Sequence, residues 1–161
     1  MTDYYYDGSA QQNTTFSTMV NWALTNKGGP RPTCPQPIDV MVRENEGFAV
    51  PIDGTEKRFV AFNLQGCAAV IFASAESATA YIFHAASGLI PKQEFNKAMQ
   101  ALGNVTLASV YVIYTFPKAS DAHYEVEAKK LAVYGIPAKN IIYAPELPGT
   151  FFGITSQTIL G

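Results

Sequence analysis

The chain has 161 residues, 48% apolar and 15% charged, with 11 Lys+Arg against 13 Asp+Glu for a net charge of −2. One domain's length with enough apolar content to fill a core excludes disorder along the whole chain. No basic stripe marks a nucleic-acid surface, and the apolar runs at 67–73 and 109–114 fall far short of the roughly 20 residues that span a bilayer. Neither nucleic acid nor membrane is expected as a partner. The first residues, MTDYYYDGSAQQ, hold no basic n-region and no apolar h-region, so no Sec leader is expected. Export by a dedicated injection machine needs none.

Residues 1–15 are polar apart from Tyr4-Tyr5-Tyr6 and read as a loose or partly ordered arm, and 16–24 carry apolar residues at helical 3-4 spacing. The stretch 27–37 (KGGPRPTCPQP) is a proline-rich connector, so the expected organisation is an arm with a short helix and connector over 1–37 and a compact domain over 38–161. Short strands are expected at 39–43, 47–52, 58–63, 68–73 and 79–85. A helix follows over 91–102, opened by Pro91 and stopped by Gly103. A long strand is expected over 105–116, a helix from Ser120 or Asp121 to Tyr134, and closing strands at 140–143 and 150–160. Many short strands plus two helices predict an α+β domain with a mixed or antiparallel β-sandwich-type core and flanking helices.

The chemistry-bearing residues are few. Two cysteines (Cys34, Cys67) and two histidines (His84, His123) form no cluster with metal-ligand spacing, so neither a metal nor another cofactor is expected. Cys67 precedes the 68–73 strand and His84 lies in the 79–85 strand. If these two form a hairpin centred between Ala75 and Glu76, Cys67 falls directly opposite His84, on the same face. A one-residue slip would put them on opposite faces. A thiol beside an imidazole is the pairing that nucleophilic acyl transfer needs: the imidazole favours the thiolate and returns the proton to a leaving amine. Gly66 permits close approach of a substrate, and main-chain N–H groups near it suit an oxyanion hole. A buried cysteine packing as a small hydrophobe fits the same residues.

The run Leu64-Gln65-Gly66-Cys67 resembles the Leu-x-Gly-Cys signature of the cytotoxic necrotizing factor catalytic domains and the Burkholderia lethal factor, toxins that are themselves similar to the chemoreceptor deamidase CheD. The spacing from Cys67 to His84, the small residues 68–70, and the ending of helix, Gly-Ile-Pro, short strand, Pro-Gly turn and last strand resemble CheD in particular. The likeness covers residues 59–161; residues 1–37 have no counterpart in it. It implies a protein glutamine deamidase with Cys67 as nucleophile and His84 as its partner. It also implies a polar third member upstream of the cysteine, a threonine side chain or a backbone carbonyl. Ala61 stands at the threonine-like position, so a carbonyl from 60–63 or the Asn63 side chain would have to serve. The Gly-rich, Arg-bearing ending of CheD is absent, which turns the expectation from a chemoreceptor to a toxin-like target. The expected protein is a monomeric bacterial effector, made in the bacterial cytoplasm and secreted into the host cytosol, acting on a protein substrate such as a host regulatory protein. A transglutaminase or peptidase using the same acyl-enzyme, and a non-catalytic binding module on the same fold, are the alternatives.

Other candidates carry less. Cys34 sits among prolines with nothing to fix it, and His123 opens a helix where exposure is the rule. Glu125 and Glu127 are two apart on a helix and point in different directions. Gly28-Gly29 lacks the context of a phosphate loop. Ser87-Gly88, just after His84, reads as a turn that could line a pocket.

Overall fold

A computed structural model describes residues 5–7, 39–51, 58–61, 67–115, 121–143, 152–155 and 158–160. Its strands are β1 (Tyr5–Asp7), β2 (Val40–Val42), β3 (Gly47–Pro51), β4 (Arg58–Ala61), β5 (Ala68–Ser74), β6 (Thr79–Ala85), β7 (Val110–Thr115), β8 (Ile141–Tyr143), β9 (Phe152–Thr155) and β10 (Thr158–Leu160). The helices are α1 (Lys92–Leu102) and α2 (Asp121–Val133). One sheet runs β3-β6-β5-β7-β8 and the other β1-β10-β9-β4-β2. Pairing is antiparallel except for β2 with β4 and β7 with β8. The parallel pair β7 and β8 is joined through α2, the long crossover that parallel strands require. The protein is a mixed α+β fold.

The central strand β5 explains the layering. All its residues are buried, because both of its faces are covered. Ala69, Ile71 and Ala73 pack with Val42, Phe59 and Ala61 of the other sheet, so one apolar layer is shared by both sheets. Ala68, Val70 and Phe72, on the opposite face, pack against Phe95, Ala98 and Leu102 of α1 and Leu131 of α2. Phe72 sits edge-on to both Tyr81 (6.4 Å) and Phe95 (6.3 Å). Each large side chain buried in this way contributes about 1.5–3 kcal/mol.

Helix α1 starts after Pro91, whose carbonyl accepts from the N–H groups of Glu94 and Phe95. It ends at Gly103, at φ 83, whose N–H reaches the carbonyls of Met99 and Gln100. Beside it the Tyr81 hydroxyl donates to Glu94 at 2.8 Å, and Lys97 pairs with the same carboxylate at 3.1 Å. A methyl at Gly47 would run into both Tyr81 and Glu94, so glycine there permits the close approach. Burial first, then the hydrogen bond to Glu94 and the Glu94 charge, push the Tyr81 phenol up from its ordinary value. The resulting stabilisation is whole below about pH 10, where an unfolded tyrosine begins to ionise, and is lost as pH climbs beyond it, because the unfolded chain releases its proton first. Tyr81→Phe should therefore flatten the fall in thermal midpoint above about pH 10. An unchanged alkaline slope would count against this assignment.

Three sequence expectations are corrected. Among the described residues of the expected 105–116 strand, Val110–Thr115 forms β7 and Leu107–Ser109 is a 3-10 turn. There the Ser109 hydroxyl donates to the Thr106 carbonyl within the turn, and the Thr106 N–H donates to the Glu76 carboxylate rather than to a neighbouring strand. The expected 150–160 strand is a hairpin, with Ile159 of β10 opposite Ile154 of β9. Tyr5–Asp7, read as part of a loose arm, pairs with β10 at the sheet's edge; an aromatic run suits a strand even in polar surroundings. The expected helix at 16–24 and the connector lie outside the described residues.

Candidate functional site

The β5–β6 hairpin positions Cys67 and His84. Ser74 and Thr79 flank a four-residue loop rather than a two-residue turn. The Ser77 N–H donates to the Ser74 carbonyl at 3.2 Å, and the Glu76 N–H donates to the Ser74 hydroxyl oxygen at 3.1 Å. Ser74 is fully buried and its hydroxyl meets that of Ser109 at 2.7 Å, which holds it in the strand. The mirror point therefore lies between Glu76 and Ser77, one residue beyond the expected one. Ala69, not Cys67, stands directly opposite His84. Because this displacement moves the register by two positions, the face is preserved. Cys67, half-buried just before β5, packs on the same inter-sheet layer as Ala69, Ile71 and Ile82, and His84 shares the face of Ile82. The two are diagonal neighbours, not a directly opposed pair.

His84 is 4% exposed and is gripped by the segment that links β2 to β3. Its N–H donates to the Glu46 carbonyl at 3.0 Å, and its carbonyl accepts from the Asn45 N–H at 2.9 Å. Its ring Nδ1 lies 2.9 Å from the Val42 carbonyl oxygen. A carbonyl only accepts, so the acceptor assigns the ring proton to Nδ1 and leaves a bare lone pair on Nε2 when the ring is neutral. Nε2 is buried and has no hydrogen-bond partner among the described residues. An orphaned buried acceptor costs about 1–3 kcal/mol, so its retention calls for an explanation. The gripping turn is itself braced: Glu46 N–H donates to the Arg43 carbonyl, Arg43 N–H donates to the Glu46 carboxylate, and Asn45 takes a left-handed φ of 64, which asparagine tolerates.

The carbonyl that holds the His84 ring comes from Val42 of β2. Val42 lies beside Ala61 in the parallel β2–β4 ladder, and Ala61 itself is buried at the end of β4 with no bond to the His84 ring. Of the expected source in residues 60–63, positions 62 and 63 lie outside the described residues; β2 forms the outer edge of its sheet, and its last carbonyl reaches across to the other sheet. Asn63, Gly66 and Cys34 lie outside the described residues. His123 belongs to α2, in the other half of the fold from β2. Glu125 is exposed, whereas Glu127 is 2% exposed; it accepts from the Ile90 N–H at 3.1 Å and pairs with Lys130 at 2.9 Å. Nothing in the sequence flagged Val42 or this role of Glu127.

Among the described residues, no group of three or more His, Cys, Asp or Glu side chains is placed to hold a metal ion. No helix among them is long and apolar enough to cross a membrane. What the arrangement offers chemically is an imidazole held through Nδ1, its Nε2 sheltered and without a partner among the described residues, and a thiol at the diagonal position on the same face. Compared with known proteins, the chain matches no family model and no curated sequence, so a functional reading rests on this geometry and on the residues that form it.

Proposed function

We propose that this chain is a cysteine-dependent protein glutamine deamidase of the kind that CheD and the necrotizing factors represent, with Cys67 as nucleophile and His84 as acid–base partner. The observation that carries the reading is the His84 ring, anchored through Nδ1 with Nε2 buried and without a partner among the described residues, on the face that Cys67 shares. In this reading Nε2 takes the Cys67 proton as the sulfur attacks the side-chain carboxamide carbon of glutamine. The tetrahedral intermediate collapses as His84 protonates the leaving nitrogen, releasing ammonia and forming a thioester. Water, losing a proton to His84, then hydrolyses the thioester to glutamate and restores the thiol. No hydrogen bond joins the Cys67 thiol to the His84 Nε2, and catalytic hydrogen bonds commonly tighten only when substrate binds. Cys67 precedes β5, so a change of rotamer there disturbs no strand bond. Neither metal nor organic cofactor enters any of these steps. The proposed setting is a monomeric bacterial effector delivered to the host cytosol, with a host protein as substrate.

Burial of Nε2 favours one second reading, a non-catalytic module in which His84 serves as a strut between sheets. Host lysate incubated with the protein and mapped by mass spectrometry separates them. The deamidase yields glutamate at defined glutamine positions, with ammonia release. Amine-linked glutamines would make the protein a transglutaminase, and cleaved backbones a peptidase. No modified site, together with a Cys67 inert to iodoacetamide, is the result expected of the strut.

A further inference from the structure

The turn that follows His84 is built in an unusual way for its residues. Ser87 has φ 54 and ψ 20, Gly88 has φ 72, and the Leu89 N–H donates to the Ala86 carbonyl at 3.0 Å. Two central residues at positive φ closed by that bond make a type I′ turn, where asparagine and glycine are the usual choices and serine is strained. The surroundings hold it there from beneath. The Tyr114 hydroxyl donates to the Gly88 carbonyl at 2.7 Å inside the core, and buried Glu127 accepts from the Ile90 N–H. β7 thus commits a buried polar group to the turn itself, and α2 commits one to the residue just after it. Strain that is over-determined in this way clusters at functional sites.

Its position is informative too. The last hairpin pair is Ala68 with Ala85, so the next residues on the two sides are Cys67 and Ala86. The turn therefore begins level with Cys67, and its Ser87 side is exposed while Gly88 is buried. Glycine at position 87 would relieve the left-handed conformation, yet the chain keeps a hydroxyl there.

We propose that Ser87 is a specificity residue of the Cys67–His84 site, its hydroxyl hydrogen-bonding the main-chain amide of the peptide segment that carries the target side chain. The inference rests on the thiol–imidazole reading. Being exposed, Ser87 meets the part of a substrate that stays outside, whereas Cys67 and His84 meet the part that enters. A contact of this kind discriminates between a bare acetamide and a peptide, and Tyr114 and Glu127 act as positioning residues for it.

The test uses two alkylating reagents on the full chain, iodoacetamide and N-iodoacetyl-glycylglycinamide, with Cys67 modification followed by mass spectrometry. Ser87→Ala and Ser87→Gly should slow the peptide reagent by about threefold to tenfold, the worth of one hydrogen bond, and leave iodoacetamide within about twofold. Ser87→Asn, which keeps a polar group and tolerates the left-handed conformation, should stay near wild type with both. Equal slowing of both reagents, or no change with the peptide reagent, overturns the Ser87 assignment while the thiol site stands. A wild-type Cys67 inert to both reagents overturns the thiol site and the Ser87 assignment with it. Thermal midpoints establish that each variant is folded, with Ser87→Gly at or above wild type because its strain is gone.

Discussion

Cys67→Ser should lower glutamine deamidation on the order of 10³-fold or more, the scale seen when an acyl-transfer nucleophile is removed. The hydroxyl is a far weaker nucleophile than a thiolate at neutral pH, and a lone imidazole without a fully built triad does not make up the difference. The substitution is close to isosteric at a half-buried position that forms no strand bond, so the fold should survive with a thermal midpoint within a few degrees of wild type, roughly 1 kcal/mol or less. Cys34→Ser and His123→Ala should leave turnover at the wild-type level, since neither residue belongs to the proposed pair. The comparison is deamidation rate and midpoint for the three variants side by side. Full activity in Cys67→Ser with loss in Cys34→Ser would move the nucleophile to the other thiol and dissolve the site.

The parity of the hairpin was legible in the sequence, and its register was not. Alternation in Ala68–Ser74 and Thr79–Ala85 shows which residues share a face, because a strand has a period of two whatever its partner does. Where the turn closes depends on Ser74, and Ser74 is held in β5 by a hydroxyl 35 residues away in sequence. No local pattern carries that information. The same limit applies to the partner of His84: a backbone carbonyl looks alike at every residue, and Val42 is chosen only because β2 lies where it can reach the ring. The split of residues 150–160 into β9 and β10, and the recruitment of Tyr5–Asp7 to their sheet, also follow from pairing between segments distant in the chain. What local chemistry dictates, such as the helix stop at Gly103 or the turn at Asn45, was readable. What long-range geometry dictates was not.

His84 should reveal two separate roles when replaced in two ways. His84 is 4% exposed and its Nδ1 serves the Val42 carbonyl of the other sheet. Alanine leaves a cavity and removes the hydrogen bond to the Val42 carbonyl, a loss of about 2–4 kcal/mol. Asparagine offers its side-chain N–H₂ close to the place of Nδ1, so the bond to Val42 can persist, and it removes the buried Nε2, which has no partner among the described residues. His84→Asn should therefore cost only about 1–2 kcal/mol. Activity should not follow stability. Both variants lack Nε2, so both should lose deamidation to a similar extent, and with it the enhanced alkylation of Cys67 by iodoacetamide near neutral pH. Urea midpoints set beside ammonia-release rates distinguish the roles. If His84→Asn keeps its activity while His84→Ala loses it in proportion to stability, the histidine is a strut and Nε2 takes no part in the reaction. If both are inactive while His84→Asn remains well folded, the strut and the base are one residue using its two nitrogens for different work.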